Sequence, residues 1–179
     1  MTPPPTVRHA RLEESKPDVP TIYSFIQEAA AEQSPGTAIR ATEAKLAAAI
    51  QFDHSQATSI PCHLRVLLLE APESEGRKVA AMAMYYFNYS TWNAELGVIL
   101  EELYVAKEFR GRGYAQKIIQ GLAVEADKMG CIKMDWLCLK NNAPALKLYE
   151  KVGAKVQDWA ALKVDEAGIA KLVEESHNS

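Results

Sequence analysis

The chain has 179 residues, 48% hydrophobic and 24% charged, with a formal net charge of −3. That length suits one domain with a real core, and the balance is that of a folded chain rather than a disordered one. A slightly acidic chain gives no support for nucleic-acid binding, and no apolar run reaches the roughly 18 residues of a membrane span, so neither partner is expected.

The opening "MTPPPTVRHAR" lacks the apolar core of a signal peptide, so residues 1–5 are expected as a disordered tail and the compartment as cytoplasmic. "TVRHARL" (6–12) reads as a first strand. In residues 18–33, Ile22, Phe25, Ile26 and Ala29 recur at helical spacing, and "SPG" (34–36) ends that helix. A second helix is expected over 42–51 with Thr42 as its N-cap. Strands over 63–71 and 78–90 flank the polar turn "PESEG", and a third, rich in branched residues, covers 94–105. From Gly113 a helix runs to about Met129, with Ala115, Ile118, Ile119, Leu122 and Ala126 on one face and Gly130 after its end. "CIKMDWLCL" (131–139) reads as a strand, and "NAPALKLYEKVGA" (142–154) as a short helix with Pro144 near its start. A last strand near 158–165 and a helix near 165–175 complete the expectation. Hairpins followed by alternating strands and helices imply a mixed sheet with helices on both faces, in one domain over 6–179.

Cys62, Cys131 and Cys138 are an odd set without CxxC spacing, and His9, His54, His63 and His177 form no ligand pattern. Neither a disulfide framework nor a metal is implied. The distinctive stretch is "VAKEFRGRGYAQKII" (105–119), where Arg110, Gly111, Arg112 and Gly113 stand at the start of a helix. A helix N-terminus carries amides without helical partners and the positive end of the dipole, and arginine forks suit phosphate oxygens. Glycines let backbone amides converge on an anion. A P-loop counted from Gly111 would need glycine at 116, where the chain has Gln116. The dinucleotide fingerprint fails at the same position. A tight turn with solvated arginines remains the alternative.

Arg110-x-x-Gly113-x-Ala115, after "LEELYV" and opening a helix, resembles the coenzyme A loop of the GNAT superfamily of N-acetyltransferases. "NNAPALKLYEKVGA" (141–154) resembles that superfamily's second hallmark, Asn-x-x-Ala-x-x-x-Tyr-x-x-x-Gly-Ala. "MYYFNYSTW" (84–92), "ILEELYV" (99–105) and "FRGRGYAQKII" (109–119) are similar to segments of diamine (spermidine/spermine) N-acetyltransferases and their thialysine-acetylating relatives. The resemblance implies an α/β GNAT fold whose mostly antiparallel sheet splays between strands four and five. It also implies acetyl-CoA as co-substrate, a small primary amine as acceptor, and a homodimer.

An aliphatic ammonium has a pKa of about 10.4, so about one molecule in a thousand is free amine at neutral pH. Catalysis must therefore remove a proton, stabilise an oxyanion and protonate a departing thiolate. The resemblance assigns proton removal to Glu101, on a bulged strand, and thiolate protonation to Tyr149. It places coenzyme A against Leu103, Tyr104 and Val105, the loop Arg110, Gly111, Arg112, Gly113, Tyr114 and Ala115, and Asn142. Acceptor contacts fall to Glu32, Trp92, Glu101, Glu102, Asp135, Trp136 and Asp158. Read from the residues alone, the adjacent acids Glu101 and Glu102 could instead be a solvated strand end, and Tyr149 a core residue. Alternation sends Glu102 and Tyr104 to one face of the strand, Glu101 and Leu103 to the other.

The chain departs from the polyamine enzymes after the first helix. Gln33, Ser34, Gly36 and Thr37 replace much of an acid-rich segment, Arg40 adds a positive charge, and Ser90 stands where those enzymes carry Asp. "STW" (90–92) looks like the thialysine-type branch, so a smaller, less charged amine is expected. Acetylation of protein or peptide lysines, or acyl-CoA binding without turnover, are the alternatives.

Overall fold

In the computed structural model the described residues are 4–12, 17–52, 64–76 and 78–177. Residues 1–3 of the expected tail, with His54, Cys62 and His63, lie outside them. The chain divides into two compact units, Met1–Asn142 and Ala143–Ser179.

The first unit is built on five strands, β1 (Thr6–His9), β2 (Arg65–Glu70), β3 (Val79–Ser90), β4 (Glu95–Val105) and β5 (Met134–Trp136), adjacent in that order. The first four pair antiparallel and β4–β5 is parallel. The mixed, mostly antiparallel sheet expected from the sequence is therefore present. Register explains which faces meet which helices. Arg8, Leu68, Met82 and Tyr104 lie opposite one another across four strands, as do Val7, Leu69, Ala81 and Val105 on the alternate face.

The Tyr104 face receives α1 (Val19–Gln33), whose Val19, Ile22, Phe25 and Ala29 form a buried stripe at helical spacing. Phe25 packs on the Tyr104 ring, 5.2 Å between centroids. The opposite face receives α3 (Tyr114–Lys128) through Ile118, Ile119, Leu122 and Ala126, and Glu125 of that helix meets His9 of β1 at 3.1 Å. A small helix α2 (Glu43–Ala49) begins at Thr42, whose hydroxyl accepts from the Lys45 amide at 3.2 Å, the cap the sequence predicts. Among the described residues no helix is long and apolar enough to cross a membrane.

The second unit holds α4 (Ala143–Lys151) and α5 (Glu166–His177). The strand expected near 158–165 is not formed. A strand exists only where a neighbour completes its ladder, and within this unit none does. Leu162 is accordingly 93% exposed and Trp159 78%. The strand expected over 131–139 is also shorter, Met134–Trp136, because its ladder with β4 runs only from Val98 to Leu100.

One buried charge fixes where α1 starts. Asp18, 5% exposed, accepts both terminal nitrogens of Arg8, at 2.6 and 2.9 Å, and the Arg11 amide at 2.7 Å. Arg8 Nε also donates to Glu70 at 2.5 Å, so a single guanidinium joins β1, β2 and the helix start. The Asp18 hydrogen bond raises the Arg8 pKa further above its ordinary value. Breaking such a pair from one side leaves the other charge buried. Arg8→Ala should lower unfolding stability by about 3 kcal/mol, read as a reduced urea midpoint with an unchanged slope. A midpoint equal to that of the parent would show that Asp18 finds other partners.

Candidate active site

The candidate site is organised by the second half of β4. Between Met84 and Tyr85 the β3–β4 register shifts: Met84 lies opposite Glu102, and Tyr85 opposite Leu100. Glu101 is the extra residue, a bulge of the kind that re-aims a side chain. It is exposed, while its neighbours Leu100 and Glu102 are buried and half-buried. On the other edge, β5 accompanies β4 through Ile99↔Asp135 and Leu100↔Trp136, where its pairing ends. β4 continues to Val105 on β3 alone. Along an antiparallel strand, alternate residues turn their N–H and C=O to the free edge, so part of the Glu101–Val105 backbone faces the side β5 has left.

Glu102 and Tyr104 share the α1 face, as alternation predicts. Gln33 Nε2 donates to Glu102 at 3.4 Å, and Tyr104 Oη donates to Glu28 at 2.7 Å. Burial raises the Glu102 carboxyl above its ordinary range, with the like charge of Glu101 adding to the rise and the Gln33 hydrogen bond opposing it. Gln33 is thus a neutral donor where an acid would have added repulsion.

After β4 the chain makes a short 3-10 turn (Lys107–Phe109), then enters the arginine-glycine loop. Gly111 and Gly113 have φ of 76° and 78°, and a Cβ at either would meet nothing within 4 Å. The backbone's left-handed conformation, rather than crowding by the protein, is what calls for glycine here. Lys117 donates the bond to the Gly113 carbonyl at 3.0 Å, so the amides of Tyr114, Ala115 and Gln116 precede the helical ladder. Those amides at an exposed, Cβ-free turn fit a diphosphate.

Both loop arginines are held by carboxylates remote in sequence. Arg110 donates from Nε to the Val105 carbonyl at 2.9 Å and from one terminal nitrogen to both Glu32 oxygens, at 2.9 and 3.0 Å. Its guanidinium stands 5.5 Å from the Tyr104 ring centre, and Lys107 Nζ lies 3.5 Å from Glu32. The Arg110 hydrogen bond, opposed by partial burial, holds the Glu32 carboxyl below its ordinary range. Arg112 pairs with Glu75, which also accepts from Tyr114 Oη at 3.0 Å, and donates to the Glu108 carbonyl at 2.8 Å. The sequence reading did not single out Glu28 or Glu75. Spacing could have flagged Glu28, one helical turn before Glu32; nothing local marks Glu75 within its polar turn.

The remaining expected residues are more dispersed. Trp136 is half-buried and opposite Leu100, where the two strands part. Asp135 pairs with Lys133 at 2.6 Å and lies opposite Ile99. Trp92, 90% exposed, sits in the β3–β4 turn, roughly 20 Å along the strand from Glu101 at the usual rise per residue. This chain alone does not bring it to the bulge. Asn142 closes the first unit, its amide donating to the Leu139 carbonyl at 2.9 Å. Tyr149, half-buried on α4, and exposed Asp158 belong to the second unit.

A β4 paired on both edges only as far as Leu100, a bulged acid and a glycine turn opening α3 define a mixed α/β fold with an open strand edge close in sequence to a helix start suited to an anion. The pattern of the acetyltransferase (GNAT) family matches residues 49–154, and the chain belongs to that family. It is 34% identical over 110 residues to the thialysine N-epsilon-acetyltransferase of Bos taurus, covering 59% of this chain and 64% of that one. It is 27% identical over 82 residues to the L-ornithine N5-acetyltransferase of Arabidopsis thaliana (45% and 36%). With the D-amino-acid N-acetyltransferase of Saccharomyces cerevisiae it shares 29% over 83 residues (46% and 52%). The chain thus spans less than two thirds of the length of these relatives. Among solved structures, an integron cassette protein from the mobile metagenome of V. cholerae superimposes with a TM-score of 0.73 at 20% identity, covering 95% of this chain and 98% of that one. A possible acetyltransferase from Clostridium difficile gives 0.71 at 21%, covering 91% and 98%. Both similarities bear on the fold.

Glu102 has a stability consequence. A carboxyl raised by folding is stabilised as its neutral form, so the folded state loses stability as pH rises from the unfolded pKa through the folded one. Below the unfolded pKa the penalty is absent. Glu102→Gln should therefore raise the thermal midpoint at pH 7 and leave it unchanged near pH 3. Equal gains at both pH values would mean that the carboxyl's charge is not the cause.

Proposed function

We propose that the chain transfers the acetyl group of acetyl-CoA to a primary amine of a small molecule, by direct attack in a ternary complex. The observation that carries this reading is Glu101 at the bulge, beside the stretch of β4 that β5 has left, with the glycine loop following soon after that strand ends. The loop amides and Arg110 would meet the diphosphate, Arg112 and Tyr114 shaping the turn around them. Asn142 would hold the pantetheine arm beside Leu103–Val105.

Glu101, directly or through a water, takes the proton of the acceptor ammonium. The amine nitrogen then forms a bond to the thioester carbonyl carbon, and β4 amides near Leu103 to Val105 donate to the oxyanion. As the C–S bond breaks, the thiolate takes a proton from the Tyr149 hydroxyl, and the second proton shed by the amide nitrogen restores that phenol, directly or through solvent. Glu32, Glu102, Asp135 and Asp158 supply negative charge for the acceptor, and Trp136 aromatic surface; Trp92, too far along its own strand, would join them only from a second copy of the chain. The names of the relatives support an amino acid with a free side-chain or α-amine, such as thialysine or ornithine; a short diamine belongs to the reading of the sequence. With Gln33 and Ser90 in place of acids, a long polyamine has fewer partners for its additional ammonium groups. Action as a cytoplasmic homodimer, with no metal, belongs to the same reading.

Tyr149→Phe should lower kcat by about a hundredfold or more while leaving coenzyme A affinity within about twofold, because thiolate protonation matters only as the C–S bond breaks. Glu101→Gln should make the rate rise more steeply with pH between 7 and 9, since free amine must then come from solution. Steady-state rates with thialysine, ornithine, putrescine and spermine measure both. Wild-type kcat in both variants across that range would remove the catalytic pair. A kcat/KM for spermine well above the others would restore a polyamine acceptor.

A further inference from the structure

Glu32 stands between two groups of residues that the proposed reaction uses separately. On one side its carboxylate binds Arg110, at 2.9 and 3.0 Å, and lies 3.5 Å from Lys107. Arg110 belongs to the loop suited to a diphosphate. On the other side Glu32 belongs to the acidic end of α1. Glu28 lies one turn earlier, and Tyr104 Oη reaches both carboxylates, at 2.7 Å to Glu28 and 3.5 Å to Glu32. Two carboxylates and two cations are thereby gathered into a locally neutral patch. The Arg110 and Glu32 side chains are 44% and 32% exposed, so an incoming anion can reach the guanidinium. A pair this open to water is weakly held, whereas a diphosphate brings more charge and several acceptor oxygens. Arg110 is also anchored through Nε to the Val105 carbonyl, which leaves its outer nitrogens as the exchangeable ones.

Resting on the proposed acetyl transfer, we infer that Glu32 is a shared carboxylate that couples the two substrates. The diphosphate of acetyl-CoA and Glu32 are rivals for one guanidinium. When the diphosphate takes Arg110, Lys107 is the one cation left paired with Glu32 among the described residues, with the Tyr104 hydroxyl as a neutral donor. The patch around Glu28 and Glu32 then becomes net negative and serves as the counter-charge for the acceptor ammonium. Binding of the acyl donor thus raises affinity for the amine, and linkage requires the amine to raise affinity for the donor by the same factor.

Calorimetric titration of the whole protein with coenzyme A and thialysine tests this. In the wild type, saturating coenzyme A should tighten thialysine binding by about fivefold or more, within the usual range of coupling. Glu32→Gln removes the rival, so coenzyme A itself should bind more tightly, and thialysine affinity should no longer respond to it. Wild-type protein supplies a second measurement free of folding effects. Inorganic pyrophosphate should reproduce the gain in thialysine affinity, while pantetheine, which has no diphosphate, should not. The inference falls if Glu32→Gln weakens coenzyme A binding, since Glu32 would then be a strut that positions Arg110. It falls equally if coupling survives in that variant, or if pantetheine matches pyrophosphate. Should wild-type protein bind no coenzyme A, the acetyl-transfer reading itself fails; the other outcomes leave that reading standing.

Discussion

A strand has two edges, and β4 keeps both occupied only as far as Leu100. That constraint organises the molecule. Past Leu100 the backbone still owes hydrogen bonds on its free side, and a buried strand could not leave them without partners. It stays viable because the next stretch is edged by polar and ionic groups: Glu101 at the bulge, Glu102 with Gln33, and Arg110 capping the Val105 carbonyl. The same free edge is what an extended acyl-pantetheine arm could pair with, in the manner of an added strand. Incomplete pairing is thus a structural liability and the source of the site.

The bulge and the departure of β5 belong together. An extra residue in β4 increases local twist and turns the strand away from a straight neighbour. β5 is a three-residue strand for that reason, not for lack of apolar residues, since "CIKMDWLCL" holds enough of them for a longer one. The parallel ladder stops where β4 changes register. Trp136 lies at that point, half-buried and packed on the core, and forms the last rung before the strands separate.

Sequence reading succeeded where a rule acts over a few residues. The α1 and α3 stripes follow from period, and the Thr42 cap from a hydroxyl three residues before an amide. Glu102 and Tyr104 share a face because alternation resumes immediately after the bulge. The register shift itself was reached only through resemblance, because "LEELYV" contains no glycine or proline to announce it. The expected strand near 158–165 failed for the opposite reason. Its apolar residues, Trp159 to Leu162 and Val164, could serve one strand, but a ladder needs two.

The ion pairs were beyond any local rule. Arg110 and Glu32 are separated by 78 positions, and Arg112 and Glu75 by 37. Sequence chemistry saw arginines fit for phosphate and acids fit for ammonium, and assigned them to different ligands. Folding brings them to each other first. A guanidinium at an open loop otherwise lies loose, at a cost in side-chain entropy whenever it must be ordered for binding. Carboxylates from α1 and from the β2–β3 turn hold the two forks in place and pair their charge. On the proposed reading, recognition of a diphosphate is an exchange of partners at Arg110, and the carboxylate released by that exchange is available to the cation that follows.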